Sequence, residues 1–231
     1  ALSKQILTLS RQAENSDKPN AHEISERLKT LRINRARVVK KARAKLDLAR
    51  EKILKGYQPG QRWLIYVEDS DDLQYLNQAL KENVTTVTYF TSQQGSVNDN
   101  NLSYFTKHGA VMLSMRCLDE GVDIPAVDTA FVLASSQNPR QFVQRRGRVL
   151  RASPGKTKAL IHDIFVIPGE ETGKEYRPML LAEACRAIEF AEYANNIEAK
   201  AKLRSIIARY GFTIEEILGS DQEINDEQTS N

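Results

Sequence analysis

The chain has 231 residues, of which 41% are hydrophobic and 27% are charged, and its formal net charge is +3 at pH 7. A chain of this size and composition can bury one good core and carry a helical extension. Its apolar runs stay well short of the roughly 20 residues of a membrane span, and its amino terminus does not resemble a signal peptide, so a cytoplasmic or nucleoid-associated location without membrane contact is expected.

A helical extension is predicted over residues 1–60. Residues 35–55 carry nine basic and two acidic side chains, and Gly56 follows as a helix end. The apolar residues of this stretch recur at helical spacing, and they are Val38, Ala42, Leu46, Ala49 and Ile53. One face of this helix would pack and the other would be positive. The positive face is either a solvated surface or a surface that follows phosphate groups.

Between residues 61 and 170 the sequence alternates apolar runs with helical patterns, as a parallel sheet requires. The predicted strands cover residues 63–67, 85–89, 110–115, 129–134 and 158–166. Asp69 and Ser70 can cap a helix after the first strand, and Leu73, Leu76 and Leu80 share one face of that helix. The polar residues 92–101 predict a loop, with a short helix at 102–105 before the third strand.

The carboxyl-terminal part, residues 171–231, is predicted to contain two packed helices and an acidic tail. The apolar positions that support the helices are Leu181, Ala184, Ile188 and Ala191 in the first, and Leu203, Ile207 and Tyr210 in the second. No Lys or Arg follows Arg209, so the tail is predicted to be frayed beyond Leu218.

The two cysteines, Cys117 and Cys185, lie far apart in the sequence and lack the short spacing of metal ligands. Free thiols in a reducing compartment are therefore expected, and no metal-binding residue is predicted in this chain.

A polar turn follows the predicted strand 110–115. Residues 118–125 read Leu-Asp-Glu-Gly-Val-Asp-Ile-Pro, and a turn of this kind lies at the carboxyl edge of a sheet, where α/β proteins bind ligands. Gly121 permits close approach of the backbone to a ligand, and Asp123 offers an acceptor for a hydroxyl. Taken alone, a Gly-x-Asp-x-Pro turn is also compatible with a simple tight loop.

About twenty residues later comes an arginine-rich segment. Residues 141–151 read Gln-Phe-Val-Gln-Arg-Arg-Gly-Arg-Val-Leu-Arg, and guanidinium groups suit phosphate oxygens. Asn138 and Pro139 predict a helix start, and Gly147 predicts its end. Arg148 and Arg151 then lie near a turn from which they can reach a ligand on a neighbouring domain. An isolated arginine-rich stretch is more often a solvated helix, but its spacing from the turn at 118–125 favours a ligand site.

Together these segments resemble the C-terminal RecA-like domain of superfamily 2 helicases and translocases of the DEAD/DEAH type, over roughly residues 63–167. Residues 63–67 are similar to the motif IV strand of that family, 113–125 to motif V and 144–151 to motif VI. Residues 154–168 and 186–196 are similar to the tails of the XPB-like and type III restriction branch. That branch implies double-stranded DNA, in preference to RNA, as the partner.

The resemblance implies an α/β fold: a RecA-like parallel sheet with helices on both faces, plus N-terminal and C-terminal helical extensions. The domains would be the helical extension at 1–60, the helicase C-terminal RecA-like domain at 61–170, and the C-terminal helices with the acidic tail at 171–231.

The resemblance also implies an ATP site shared with a second domain. In this family ATP lies between two RecA-like domains. Arg148 and Arg151 would be its arginine fingers, Gln144 would contact the γ-phosphate side, and Gly121 and Asp123 would bind the nucleotide, Asp123 through the ribose hydroxyl. The sequence has no Gly-x-x-x-x-Gly-Lys-Ser/Thr phosphate loop and no Asp-Glu pair for magnesium. An N-terminal RecA-like domain is therefore the expected partner that supplies the phosphate loop and the Mg ligands, and this chain alone is expected to be inactive.

Nucleic acid would contact the same sheet through polar groups that suit phosphates. The residues that the resemblance indicates are Ser92, Gln93, Ser114 and Arg116. The sequence departs from the family at Met115, where many members have Thr, and at 97–101, which lacks the basic residue often found there. The predicted function is the motor half of an ATP-dependent DNA helicase or translocase; the alternative is a non-catalytic nucleic-acid-binding or scaffolding module.

Overall fold

The computed structural model describes residues 2–14, 18–84, 86–91, 95–115, 127–134, 156–167, 177–192, 194–213 and 216. Its helices are α1 (Leu2–Glu14), α2 (Lys18–Lys40), α3 (Arg43–Gly56), α4 (Ser70–Lys81), α5 (Gly95–His108), α6 (Arg177–Glu192) and α7 (Ile197–Arg209). Its strands are β1 (Arg62–Val67), β2 (Val87–Phe90), β3 (Ala110–Met115), β4 (Thr129–Val132) and β5 (Leu160–Asp163). The chain forms two compact units, one of residues 40–164 and one of residues 1–39 with 165–231. The domain boundaries predicted after residues 60 and 170 stay predictions.

The unit of residues 40–164 is built on a five-stranded sheet in the order β2-β3-β1-β4-β5. Every neighbouring pair is parallel, so the predicted parallel α/β fold is confirmed. Each predicted strand has a counterpart, but β5 is shorter than predicted because only four residues pair with β4. The bounds of a strand depend on the length of its neighbour, which a single sequence does not reveal.

One face of the sheet is covered by α3 and α4. Alternate residues of the strands, among them Ile65, Leu113 and Phe131, form one buried cluster with residues of both helices. The predicted cap of α4 is confirmed, because the Asp69 carboxylate accepts a hydrogen bond of 3.1 Å from the Asp72 amide. The three predicted apolar positions of this helix, Leu73, Leu76 and Leu80, are all buried.

The other face of the sheet carries α5 beside β2 and β3. The connection from β1 to β2 and the connection from β2 to β3 run in opposite directions across the sheet, so right-handed crossovers put α4 and α5 on opposite faces. The prediction of a loop through residue 101 was wrong from residue 95 onward, because α5 begins at Gly95. Asn98 is buried there and bonds to the backbone of Thr91, which offsets its weak helix propensity.

The predicted helix at 35–55 is two helices. Helix α2 ends at Lys40, Ala42 has extended backbone at φ −62° and ψ 112°, and α3 begins at Arg43. Val38 is 60% exposed, whereas Leu46, Ala49 and Ile53 are buried as predicted. The bend separates Val38 from the apolar stripe that the periodicity suggested.

In the second unit, α6 and α7 form the two predicted C-terminal helices. Their buried cluster consists of Leu180, Ala184, Cys185, Ile188, Ile207 and Phe212. The Arg177 guanidinium donates twice to the Gly211 carbonyl, at 3.2 Å each, and lies 4.1 Å above the centroid of the Phe212 ring. The predicted frayed tail beyond Leu218 lies outside the described residues. Within the described ranges, none of the helices has the length and apolar character needed to cross a membrane.

Candidate functional site at the carboxyl edge of the sheet

All five strands end at the same edge of the sheet because all are parallel. Strands β3 and β4 lie on either side of β1, so their carboxyl ends are separated by two strand spacings, about 10 Å. After β1 the chain crosses to β2 at one side of the sheet, and after β4 it moves to β5 at the other side. The direction of the connections therefore reverses between the neighbouring strands β1 and β4. A parallel sheet binds ligands at such a reversal, in the crevice outside the carboxyl ends of the strands. The gap between β1 and β4 is therefore the candidate site.

Most of the predicted site residues lie outside the described residues. Residues 116–126 come after β3 in the chain and residues 135–155 come after β4, and the structure does not describe either segment. The residues concerned are Arg116, Gly121 and Asp123 after β3, Gln144, Arg148 and Arg151 after β4, and Ser92 and Gln93 after β2. Their assigned roles stay predictions.

Ser114 is the predicted site residue that the structure describes, and it is fully buried in β3. It is in register with Tyr66 on one side and Phe90 on the other, so all three side chains point to one face. Among the described residues the Ser114 hydroxyl has no hydrogen-bond partner, and neither has that of Thr88 on the same face. Its predicted contact with nucleic acid stays a prediction.

The end of β4 is tied to β1 by two backbone hydrogen bonds. The amides of Leu133 and Ala134 both donate to the Tyr66 carbonyl, at 3.0 and 3.1 Å. The Lys45 ammonium, from the first turn of α3, donates to the Leu133 carbonyl at 3.4 Å. The last described residues after β4 are thus held by hydrogen bonds from β1 and α3.

The end of β1 carries an ion pair. The Lys41 ammonium lies 2.6 Å from the Asp69 carboxylate, which also caps α4. Partial burial raises the pKa of Asp69, but the hydrogen bonds from Lys41 and from the Asp72 amide outweigh it and leave that pKa below its usual value. The hydrogen bond to Asp69 raises the pKa of Lys41. Both groups are therefore charged at neutral pH.

The basic residues of α3 largely serve contacts within the unit. Arg43 lies 3.2 Å above the centroid of the Tyr75 ring, and the Tyr75 hydroxyl donates to Asp47 at 2.6 Å. Arg50 and Lys52 are exposed. Together with the buried apolar stripe, these contacts favour a helix docked on the sheet over a phosphate-binding surface.

Sequence reasoning missed two asparagines that bond to the backbone just before the predicted nucleic-acid residues Ser92 and Gln93. The Asn98 amide accepts from the Thr91 amide at 3.1 Å and donates to the Thr91 carbonyl at 2.5 Å. The Asn101 amide donates to the Tyr89 carbonyl at 2.8 Å. These two side chains therefore hold the backbone of β2 and Thr91, which directly precedes Ser92.

In the described part of the chain, no cluster of three or more His, Cys, Asp or Glu side chains could hold a metal ion. The expectation that magnesium ligands belong to another domain stays a prediction.

The family model "Helicase conserved C-terminal domain" matches residues 44–153. A Methanocaldococcus jannaschii protein named as an ATP-dependent RNA helicase is 39% identical over 57 residues, which are 25% of this chain and 7% of that protein. IRC3 of Saccharomyces cerevisiae, named as an ATP-dependent helicase, is 28% identical over 148 residues, 63% of this chain and 21% of IRC3. The match thus spans 7% of the length of one relative and 21% of the other. The C-terminal domain of the DEAD-box protein Dbp5 superposes with a TM-score of 0.49 at 18% identity, covering 72% of this chain and 93% of that one.

Proposed function

We propose that the chain is the C-terminal motor half of an ATP-dependent DNA helicase or translocase of superfamily 2, starting from the match of residues 44–153 to the family model of the helicase conserved C-terminal domain. The observation that carries the proposal is the strand order. Strands β3 and β4, which precede these two segments in the chain, end at one edge of the sheet on either side of β1, and this supports the proposal.

In the proposed mechanism, ATP with Mg binds between this edge and an N-terminal RecA-like domain that supplies the phosphate loop and the metal ligands. Asp123 accepts a hydrogen bond from the ribose hydroxyl, and Gly121 lets the backbone approach the nucleotide. Gln144 contacts the γ-phosphate side. Arg148 and Arg151 stabilise the charge on the transferring phosphoryl group, which requires the two domains to close around ATP.

Closure on ATP and reopening after hydrolysis then move the two domains relative to each other along the nucleic acid. The chain by itself has half of the nucleotide site. We therefore expect no ATP hydrolysis above background from the isolated chain, with or without DNA.

The nucleic acid we propose is double-stranded DNA, because residues 154–168 and 186–196 resemble the XPB-like and type III restriction branch. The name of the M. jannaschii relative points to RNA. Stimulation of ATP hydrolysis in the complete two-domain protein distinguishes them: duplex DNA should stimulate strongly and single-stranded RNA weakly, and the reverse order would make RNA the substrate.

The arginine fingers provide the test of the ATP site in the complete protein. A finger stabilises charge that develops in the transition state, so its removal lowers kcat more than it weakens ATP binding. Arg148→Ala and Arg151→Ala should each reduce kcat by roughly 10³–10⁵, about 4–7 kcal/mol of barrier, with a much smaller change in KM. Arg146→Ala, a neighbour without an assigned ligand, is the matched control and should be milder. Near-normal kcat in folded Arg148→Ala and Arg151→Ala proteins would refute the finger assignment.

A further inference from the structure

Helix α2 carries basic side chains that the proposed mechanism does not use. Residues 27–46 contain nine basic and no acidic residues, and α2 provides the larger part of this stretch. Lys29, Arg32 and Arg37 are exposed on this helix. Cations clustered without acidic residues among them create a positive potential that extends into the solvent and attracts anions.

These three side chains share one side of α2. Lys29 and Arg37 are eight residues apart with Ile33 midway between them, so they form one row about 12 Å long. Arg32 lies beside this row, one turn after Lys29. Ile33 is 49% exposed, which places the row on a solvent-facing side of the helix.

The contacts of these cations leave them available to a ligand. Lys29 lies 3.9 Å from Glu26, but both side chains are more than half exposed, and an ion pair of this kind holds a lysine weakly. Within the described part of the chain, Arg32 and Arg37 make no hydrogen bond and no ion pair. A phosphate group could therefore bind them without displacing an existing contact.

The stability of the helix does not account for this pattern. Lys29 and Arg32 are like charges three residues apart, an arrangement that destabilises a helix. Both lie in the middle of α2, away from the last turn, where the helix dipole favours cations. In α3, by contrast, Lys55 has an acidic partner one turn away, because Glu51 lies at 2.6 Å. An anionic ligand would offset the repulsion that α2 lacks the acidic residues to offset.

We propose that Lys29, Arg32 and Arg37 bind the phosphate backbone of duplex DNA, in addition to the contacts proposed for the sheet. Duplex DNA carries roughly seven charges over 12 Å of its axis, so a row of this length meets several phosphates. Such contacts bind DNA without reading its sequence. A membrane surface fits less well, because a helix at that surface needs a free apolar face, whereas Leu28 and Val39 are buried. This inference rests on the proposed function, which supplies DNA as the partner.

The first experiment measures the binding of a fluorescein-labelled DNA duplex by the 231-residue chain, as fluorescence anisotropy over a range of salt concentrations. In the α2 variant, Lys29, Arg32 and Arg37 are replaced together by glutamine, a good helix former without charge. Its affinity should fall at least about tenfold at about 100 mM salt. The slope of log affinity against log salt should become shallower by about two to three, since each phosphate contact contributes about 0.9.

The matched control is an α3 variant, in which Arg50, Lys52 and Lys55 are replaced by glutamine. These three side chains are exposed, so the variant loses the same charge as the α2 variant. Its affinity for the duplex should change less than about threefold, because distant charges are screened by salt. Circular dichroism checks that both variants keep the helix content of the original chain.

The second experiment separates this contact from the ATP site, in the complete two-domain protein. In the α2 variant, the concentration of duplex DNA that gives half-maximal stimulation of ATP hydrolysis should rise about tenfold, with kcat at saturating DNA changed less than about twofold. Arg148→Ala should instead lower kcat at every DNA concentration.

The outcomes distinguish this inference from the proposed function. Unchanged affinity and salt slope in the α2 variant overturn the inference and leave the arginine fingers in place. Equal losses in the α2 and α3 variants also overturn it, because they reflect net charge alone. Binding to phosphatidylserine vesicles that exceeds binding to DNA and is lost in the α2 variant would assign the helix to a membrane surface and overturn it. A chain that binds no duplex at low salt overturns both this inference and the proposed DNA partner, whereas normal kcat in Arg148→Ala counts against the motor alone.

Discussion

Replacing Asn98 by alanine should destabilise the unit of residues 40–164 and leave its fold otherwise intact. Asn98 is buried in α5, and its side chain makes two hydrogen bonds with the backbone of Thr91 at the end of β2. Alanine removes both bonds and leaves the Thr91 amide and carbonyl to be solvated in a half-buried place. The substitution tests whether this side chain ties the helix to the strand before Ser92.

The size of the effect follows from those two bonds. Each contributes about 1 kcal/mol net, and incomplete solvation of the Thr91 groups adds up to about 1 kcal/mol. Alanine gains about 0.5 kcal/mol from its better helix propensity. Asn98→Ala should therefore cost about 1.5–2.5 kcal/mol in the free energy of unfolding. Asn100→Ala, two residues away and exposed, has the same propensity gain without the loss and should be neutral or slightly stabilising.

Urea unfolding followed by the fluorescence of Trp63 measures this difference. Trp63 is buried in β1, so its emission reports on the unit that contains Asn98. With a slope of about 2 kcal/mol per molar urea, the midpoint should fall by about 1 M for Asn98→Ala and should not fall for Asn100→Ala. Equal midpoints for the two variants would show that the bonds to Thr91 contribute no net stability, and would refute the reasoning.

Three further substitutions test other parts of the molecule. Gly109→Ala should lower the free energy of unfolding by about 3 kcal/mol or more, because φ of Gly109 is +73° and a Cβ there would overlap the Gly60 carbonyl. Gly60→Ala is the control: its φ is +90° but its Cβ would meet open space, so it should cost about 1 kcal/mol. Burial, and secondarily the charge of Lys52, lower the pKa of His162 in the folded chain. The unfolded chain therefore takes up a proton at this histidine at a higher pH, and the free energy of unfolding falls as the pH drops below about 6.5. His162→Phe should make the urea midpoint fall less between about pH 7.5 and pH 5. Arg50→Glu with Lys52→Glu should change DNA affinity less than about threefold at 150 mM salt, because the buried stripe of α3 and its contacts with the sheet favour a docked helix over a phosphate-binding surface.

Each of these expectations has a contrary result. Equal losses in Gly109→Ala and Gly60→Ala would show that the close approach of the two loops is relaxed without cost. A pH dependence of the His162→Phe midpoint as steep as that of the original chain would show that this histidine is not linked to folding. A tenfold loss of DNA affinity, with a shallower dependence on salt, would place the exposed side of α3 on the nucleic acid.

Sequence patterns predicted the parts of this protein that depend on near neighbours in the chain. Apolar runs bounded by polar turns located all five strands, and Asp69 with its three leucines predicted α4. The motif spacing after β3 and β4 predicted a helicase C-terminal domain, and the family model of that domain matches residues 44–153. Periodicity and capping act over a few residues, so they can be read before the fold is known.

Only the tertiary structure decided which elements lie next to each other. It therefore also decided which side chains contact the backbone near the candidate site. Asn98 was predicted in a loop, but it lies in a helix whose contact with the Thr91 backbone could not be read from the sequence. Val38 does not continue the apolar stripe of α3, because the helix is interrupted at Ala42. Lys45 counted as one of nine basic residues on a helix, yet its ammonium is buried against Leu133, 88 residues away. The contribution of such a buried polar side chain to stability depends on the donor or acceptor that it meets. The strand order β2-β3-β1-β4-β5 determines which group that is.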